Sequence, residues 1–112
     1  MTEHDDRYNP ERMRNTIYVD FDDTLYRSGG EVNTELVEAL LQSDKPFVIW
    51  STRSTEELRE LIVELFPELY DKALAIIQKP EFAIDDAPWR ILPMRKWKTS
   101  EQFVREQKRV YR

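Results

Sequence analysis

The chain contains no cysteine, a single histidine and only two glycines. Without cysteine there can be no disulfide, no thiolate zinc site and no thiol nucleophile. Two glycines are too few for a glycine-rich phosphate loop of the P-loop or dinucleotide-binding type. No apolar stretch approaches the ~20 residues needed to span a membrane, and the N-terminus has no signal-peptide profile. A cytoplasmic protein without membrane partners is therefore expected. The one histidine, His4, stands in a polar N-terminal stretch and is assigned no role.

What the chain does have is charge. Charged residues make up 35% of its 112 residues, against 40% hydrophobic, which fits one globular domain with a wet surface. Residues 1–15 lack hydrophobic periodicity and read as a flexible tail, leaving 16–112 as the domain. The net charge of −5 is unevenly spread: eight Lys/Arg and two Asp/Glu follow Ala87, whereas the first 86 residues hold nine bases and twenty acids. The basic end is either a solvated helix that balances an acidic body or an element that faces phosphate or nucleic acid.

Hydrophobic patterning divides the domain into alternating strands and helices. Thr16 to Phe21 is rich in β-branched and aromatic residues and reads as a buried strand. Ser28-Gly29-Gly30 is a turn, and Asn33 caps a helix with Leu36, Val37, Leu40 and Leu41 on one face. Ser43-Asp44-Lys45-Pro46 ends it, and Phe47 to Trp50 forms the second strand. Ser54 and Glu57 make a capping box for a helix that carries Leu58, Leu61, Ile62 and Leu65. Pro67 ends that helix or bends the chain. Ala73 to Ile77 and Glu81 to Ile84 read as the third and fourth strands, Arg90 to Pro93 as a short edge strand, and Thr99 with Gln102 as the capping box of a last helix through Arg109. The order implies an α/β fold with a mostly parallel, Rossmann-like sheet flanked by helices.

Two of the apolar runs end in acids. Ile17-Tyr18-Val19 leads into Asp20-Phe21-Asp22-Asp23, and Phe82-Ala83-Ile84 leads into Asp85-Asp86. Open α/β sheets bind ligands at the carboxyl ends of their strands. Crowded carboxylates raise one another's pKa unless a positive charge joins them, and an oxygen-preferring divalent cation, magnesium foremost, would supply it.

These residues carry a resemblance. Asp20-Phe21-Asp22-Asp23-Thr24-Leu25 resembles the first motif of the haloacid dehalogenase superfamily, Asp-x-Asp-x-Thr-Leu after an apolar strand. Phe47 to Arg53 resembles the second, an apolar strand ending in Ser or Thr. Lys79-Pro80 resembles the third and Ile84-Asp85-Asp86 the fourth, all in the expected order over roughly residues 16 to 90. The resemblance implies a magnesium-dependent phosphatase acting through an aspartyl-phosphate. In that scheme Asp20 is the nucleophile and Asp22 the general acid, then base, with a pKa raised by its acidic neighbours. Ser51, with Thr52 as its rival, binds a phosphoryl oxygen. Lys79, with Lys72 as its rival, neutralises the transition state. The metal falls to Asp20, Asp22, Asp85 and Asp86, and Asp23 is a surface residue. Thr24 is expected to buttress the acidic loop or touch substrate, and Arg53 to clamp a phosphate or neutralise a helix start.

The chain departs from the family in being short. It has no room for a cap domain between Leu25 and Ser51 or between Arg53 and Asp85, nor for a helix between Lys79 and Asp85. The expectation is a minimal, capless core with an open site. A small phosphate ester or nucleotide suits the acidic body. A nucleic-acid 3′-phosphate would instead use Arg95, Lys96, Lys98 and Lys108. A phosphate- or metal-binding regulatory module without turnover is the third reading.

Overall fold

The computed structural model describes residues 16–82, 84, 86 and 98–110. The expected tail 1–15, Asp85, the Arg90 to Pro93 strand, and Arg95 and Lys96 lie outside the described residues. Strand β1 (Ile17–Asp20) opens the domain and is followed by a small hairpin, β2 (Tyr26–Arg27) and β3 (Glu31–Val32). Helix α1 (Thr34–Gln42), strand β4 (Phe47–Ser51), helices α2 (Thr55–Leu65) and α3 (Pro67–Lys72), strand β5 (Ala75–Gln78) and helix α4 (Ser100–Val110) complete it.

The main sheet is parallel, in the order β1-β4-β5. Ile17 pairs with Phe47 and Asp20 with Trp50, while Val48 pairs with Ala75 and Ser51 with Gln78. Each step moves one strand over in the same direction. Right-handed crossovers then bring both helical connections to the same face. Burial follows that rule. Val19, Ile49 and Ile76 join one core cluster with Leu36, Ala39 and Leu40 of α1, Leu58 and Ile62 of α2, Leu69 of α3, and Phe103 and Val104 of α4. Tyr18 and Trp50 project from the other face, their ring centroids 4.8 Å apart. The fold is thus a small α/β unit, a three-stranded parallel sheet flanked by helices. None of the helices among the described residues is long and apolar enough to cross a membrane.

Local chemistry explains the boundaries. Asn33 caps α1 by accepting from the Leu36 N–H, and Ser54 caps α2 by accepting from the Glu57 N–H. Thr99 and Gln102 form a reciprocal capping box, each side chain bonding the other's backbone N–H. Pro67 does more than end α2. It stands at the first turn of α3, where its missing N–H costs nothing. Both glycines of the chain lie in the β2–β3 turn at φ +90° and +86°, a backbone that L side chains rarely adopt. The last helix packs onto α1, and the Asn33 amide donates to Ser100 Oγ between them.

The expected fourth strand is not observed. Glu81, Phe82 and Ile84 are outside any strand, and the apolar side chains of Phe82 and Ile84 are 76% and 91% exposed. Topology gives the reason. A parallel neighbour needs a crossover of about a dozen residues or more, and this segment follows β5 directly, through Pro80.

Lys72 also has a clear assignment. Its Nζ donates to the carbonyls of Leu40 (2.9 Å), Leu41 (2.6 Å) and Ser43 (2.8 Å), closing the C-terminal end of α1. Lys72→Met is expected to cost about 1 kcal/mol in urea unfolding.

Candidate functional site

At the end of β1 the chain turns back sharply around one residue. Phe21 is fully buried; its N–H donates to the Trp50 carbonyl, and its own carbonyl accepts from the N–H groups of Thr24, Leu25 and Tyr26. This tight loop carries the acids across the carboxyl ends of β1, β4 and β5. Asp23 takes a left-handed φ of 64°, a conformation Asp tolerates, and accepts from Ser28 Oγ on the hairpin side. It stays outside the acidic cluster, at the surface.

Asp20 ends β1 and has a partner on each oxygen. Lys79 Nζ donates to Oδ1 at 2.8 Å, and Thr24 Oγ1 donates to Oδ2 at 3.1 Å. Lys79 is delivered by β5, whose pairing continues one step further through a 2.7 Å bond from the Lys79 N–H to the Ser51 carbonyl. Its ammonium lies 5.6 Å from the centre of the Trp50 ring, a cation–π contact that holds it beside the sheet end. Thr24 therefore orients Asp20.

Asp22 is bound more tightly still. Ser51, 1% exposed, donates from Oγ to Asp22 Oδ2 at 2.7 Å. Arg53 Nε lies 3.1 and 3.0 Å from the two carboxylate oxygens, and Nη2 lies 3.0 Å from Oδ1. The remaining arm, Nη1, donates to Glu57 Oε1 at 2.7 Å. The Arg53 N–H closes the circle onto Ser51 Oγ. Beneath the guanidinium, 5.9 Å away, is the centre of the Phe21 ring.

The charge balance differs from the sequence expectation. Asp22 was expected to have a raised pKa. The Arg53 fork, helped by the Ser51 hydroxyl, instead holds its carboxyl below the ordinary carboxylate value, and partial burial opposes this only in part. The crowding acids are neutralised by the protein's own cations, Lys79 on Asp20 and Arg53 on Asp22. As positioned, Asp22 is held as the ionised carboxylate, both oxygens accepting hydrogen bonds.

A stability consequence follows from the sign of that shift. A carboxylate whose folded pKa is depressed stabilises the fold above its unfolded pKa of about 4. That contribution is lost as pH falls through the lowered folded value. Because Asp22 and Arg53 are 36% and 33% exposed, solvent screens the pair to about 1 kcal/mol or less. Urea unfolding in chelator should show wild type more stable than Asp22→Asn at neutral pH, with the gap closing below about pH 4.

The other expected residues fall as follows. Thr52 is exposed and its carbonyl accepts from Gln78 Nε2, so of the two hydroxyl residues it is Ser51 that joins the acids. Asp86 is exposed. Among the described residues, no three acidic, histidine or cysteine side chains converge to hold a metal. Glu57 was read from sequence only as a helix cap, yet its carboxylate anchors Arg53. The signal was an opposite charge four residues on, with Arg53 just before the Ser54 cap and Glu57 in the first turn of α2.

Comparison with models of known protein families, with curated proteins and with solved structures finds no match to this chain.

Proposed function

We propose that the chain is a minimal, capless phosphomonoester hydrolase that works through an aspartyl-phosphate on Asp20, in the manner of the haloacid dehalogenase superfamily that its motifs resemble. One observation carries the reading. At the carboxyl ends of parallel strands, an aspartate paired with a lysine stands beside a second aspartate, two residues on, bound by a serine from the adjoining strand. Stability alone gives little reason to gather such residues, since exposed ion pairs contribute little to folding.

The chemistry assigns each group a task. Asp20 attacks phosphorus, forming a carboxyl–phosphate bond as the phosphorus–oxygen bond of the ester breaks. The departing oxygen takes the proton of Asp22, which is protonated once Arg53 releases it. Lys79 draws charge from the equatorial oxygens, and Thr24 keeps the carboxylate aimed. Water then attacks phosphorus, giving its proton to Asp22 and returning Asp20 as a free carboxylate. For Asp22 to serve as acid in the first step, its bond to Arg53 must loosen.

Carboxylate and carbonyl oxygens are the hard donors magnesium prefers, and Asp20 is partly open to solvent. Asp20, the Asp22 carbonyl, and Asp85 or Asp86 would hold the ion, which when bound screens the repulsion between the nucleophile and the phosphate.

A small phosphate ester or nucleotide is the substrate class we favour over nucleic-acid ends. On the C-terminal side, Lys98 pairs with Glu106 and Arg105 with Glu101, so these cations already have acidic partners. Hydrolysis of an aryl phosphate by the pure protein, with magnesium and then with chelator, tests the proposal. Magnesium-dependent turnover is expected. Its absence would leave a phosphate-binding module in its place.

A further inference from the structure

We propose that Arg53 is a phosphate-binding residue, whose guanidinium fork exchanges the Asp22 carboxylate for substrate phosphoryl oxygens while Glu57 keeps its other arm anchored. The inference rests on the hydrolase reading for its substrate but on geometry for its substance. Arg53 presents Nε and Nη2 to Asp22 as one planar edge, and that edge matches two oxygens of a phosphate as well as those of a carboxylate. The Asp22–Arg53 pair is about one-third exposed on each side, so a dissolved anion can compete for it. The Nη1 bond to Glu57, in the first turn of α2, is made on a different nitrogen from the Asp22 bonds and keeps one arm of the head tethered when the edge is released. The Phe21 ring below it restricts the guanidinium further.

The charge inventory makes the exchange reasonable. Asp20 has Lys79 and Asp22 has Arg53, so each acid has one cation. An arriving phosphate adds charge to a site already holding two carboxylates. Moving Arg53 onto the phosphate puts a cation beside the new charge, and Ser51 stays bound to Asp22 at 2.7 Å. A structural arginine would instead remain on Asp22 whatever binds nearby.

Titration with inorganic phosphate separates the two roles without needing turnover. The Arg53 Nε–H resonance should shift with phosphate along the same curve as calorimetric binding. Arg53→Ala should weaken phosphate binding roughly 10- to 100-fold. Arg53→Lys should recover part of the loss, because a point charge replaces a fork. In steady-state kinetics KM should rise more than kcat falls.

A double-mutant cycle sharpens the test. Asp22→Asn removes the competitor for the fork and should tighten phosphate binding roughly 3- to 10-fold, with most of that gain lost in the Arg53→Ala background. A gain of equal size in both backgrounds would be simple relief of repulsion and would overturn the proposal. So would unchanged phosphate affinity in a folded Arg53→Ala or Arg53→Lys variant, or a wild type that binds no phosphate. Arg53-dependent binding without aryl-phosphate turnover would overturn the hydrolase reading and leave the phosphate-binding assignment standing.

Discussion

Asp20→Asn is expected to reduce aryl-phosphate turnover by roughly 10³-fold or more and to leave the protein folded. A carboxamide has nearly the shape of the carboxylate but cannot attack phosphorus to form an acyl-phosphate. It also removes the charge that Lys79 and Thr24 aim. The stability cost should be small, because the Asp20–Lys79 pair is about one-third exposed and such pairs contribute about 1 kcal/mol or less. Circular dichroism and a urea midpoint near wild type would establish the fold, and the aryl-phosphate assay the loss. The pairing matters, since a general loss of structure would remove activity for an uninformative reason.

The second large effect concerns stability. Phe21→Ala should destabilise the domain by about 3–5 kcal/mol, the range for truncating a buried aromatic. Phe21 is fully buried, lies against Tyr26 and Phe66, and supports the Arg53 guanidinium. A small domain has about 5–15 kcal/mol in all, so the loss is a large fraction of the total. The effect reaches function by a direct route. Phe21 separates the two acids, and its carbonyl gathers three N–H groups of the loop that carries Asp22 and Thr24. A cavity beneath it loosens the registration of Asp20 with Asp22. Urea unfolding checks the stability change, and Phe21→Leu, which keeps most of the volume, should be much milder.

Much of this arrangement was legible in the sequence because it rests on local rules. The β-branched run before Asp20, the caps at Asn33, Ser54 and Thr99, and the breaks at Pro46 and Pro67 each depend on a few neighbouring residues. The structure brings Asp20, Asp22, Ser51 and Lys79 together at one sheet end, as their places after apolar runs suggested. Lys79 and Lys72 could not be separated in sequence, since both are lysines near one strand. Only the fold shows one reaching Asp20 and the other sealing a helix.

The misses come from nonlocal physics. Phe82 and Ile84 have strand-forming side chains, but only Lys79 to Glu81 separate them from β5, too few for the crossover that a parallel strand needs. The direction of the Asp22 pKa was misjudged because adjacent acids are visible in sequence, while a cation 31 residues away is not. The hairpin between Tyr26 and Val32 is too short to show periodicity, although its two glycines marked the turn. Helix α3 was hidden because proline signals an end and a beginning alike.

The central claim is that Asp20 carries the phosphoryl group. The most direct measurement is acid quenching during turnover of an aryl phosphate, followed by mass analysis of the intact protein and its peptides. One phosphoryl group on the peptide containing Asp20, present in wild type with magnesium and absent from Asp20→Asn, is the predicted result. Undiminished turnover by a folded Asp20→Asn protein, with no phosphoryl group on that peptide in wild type, would contradict it.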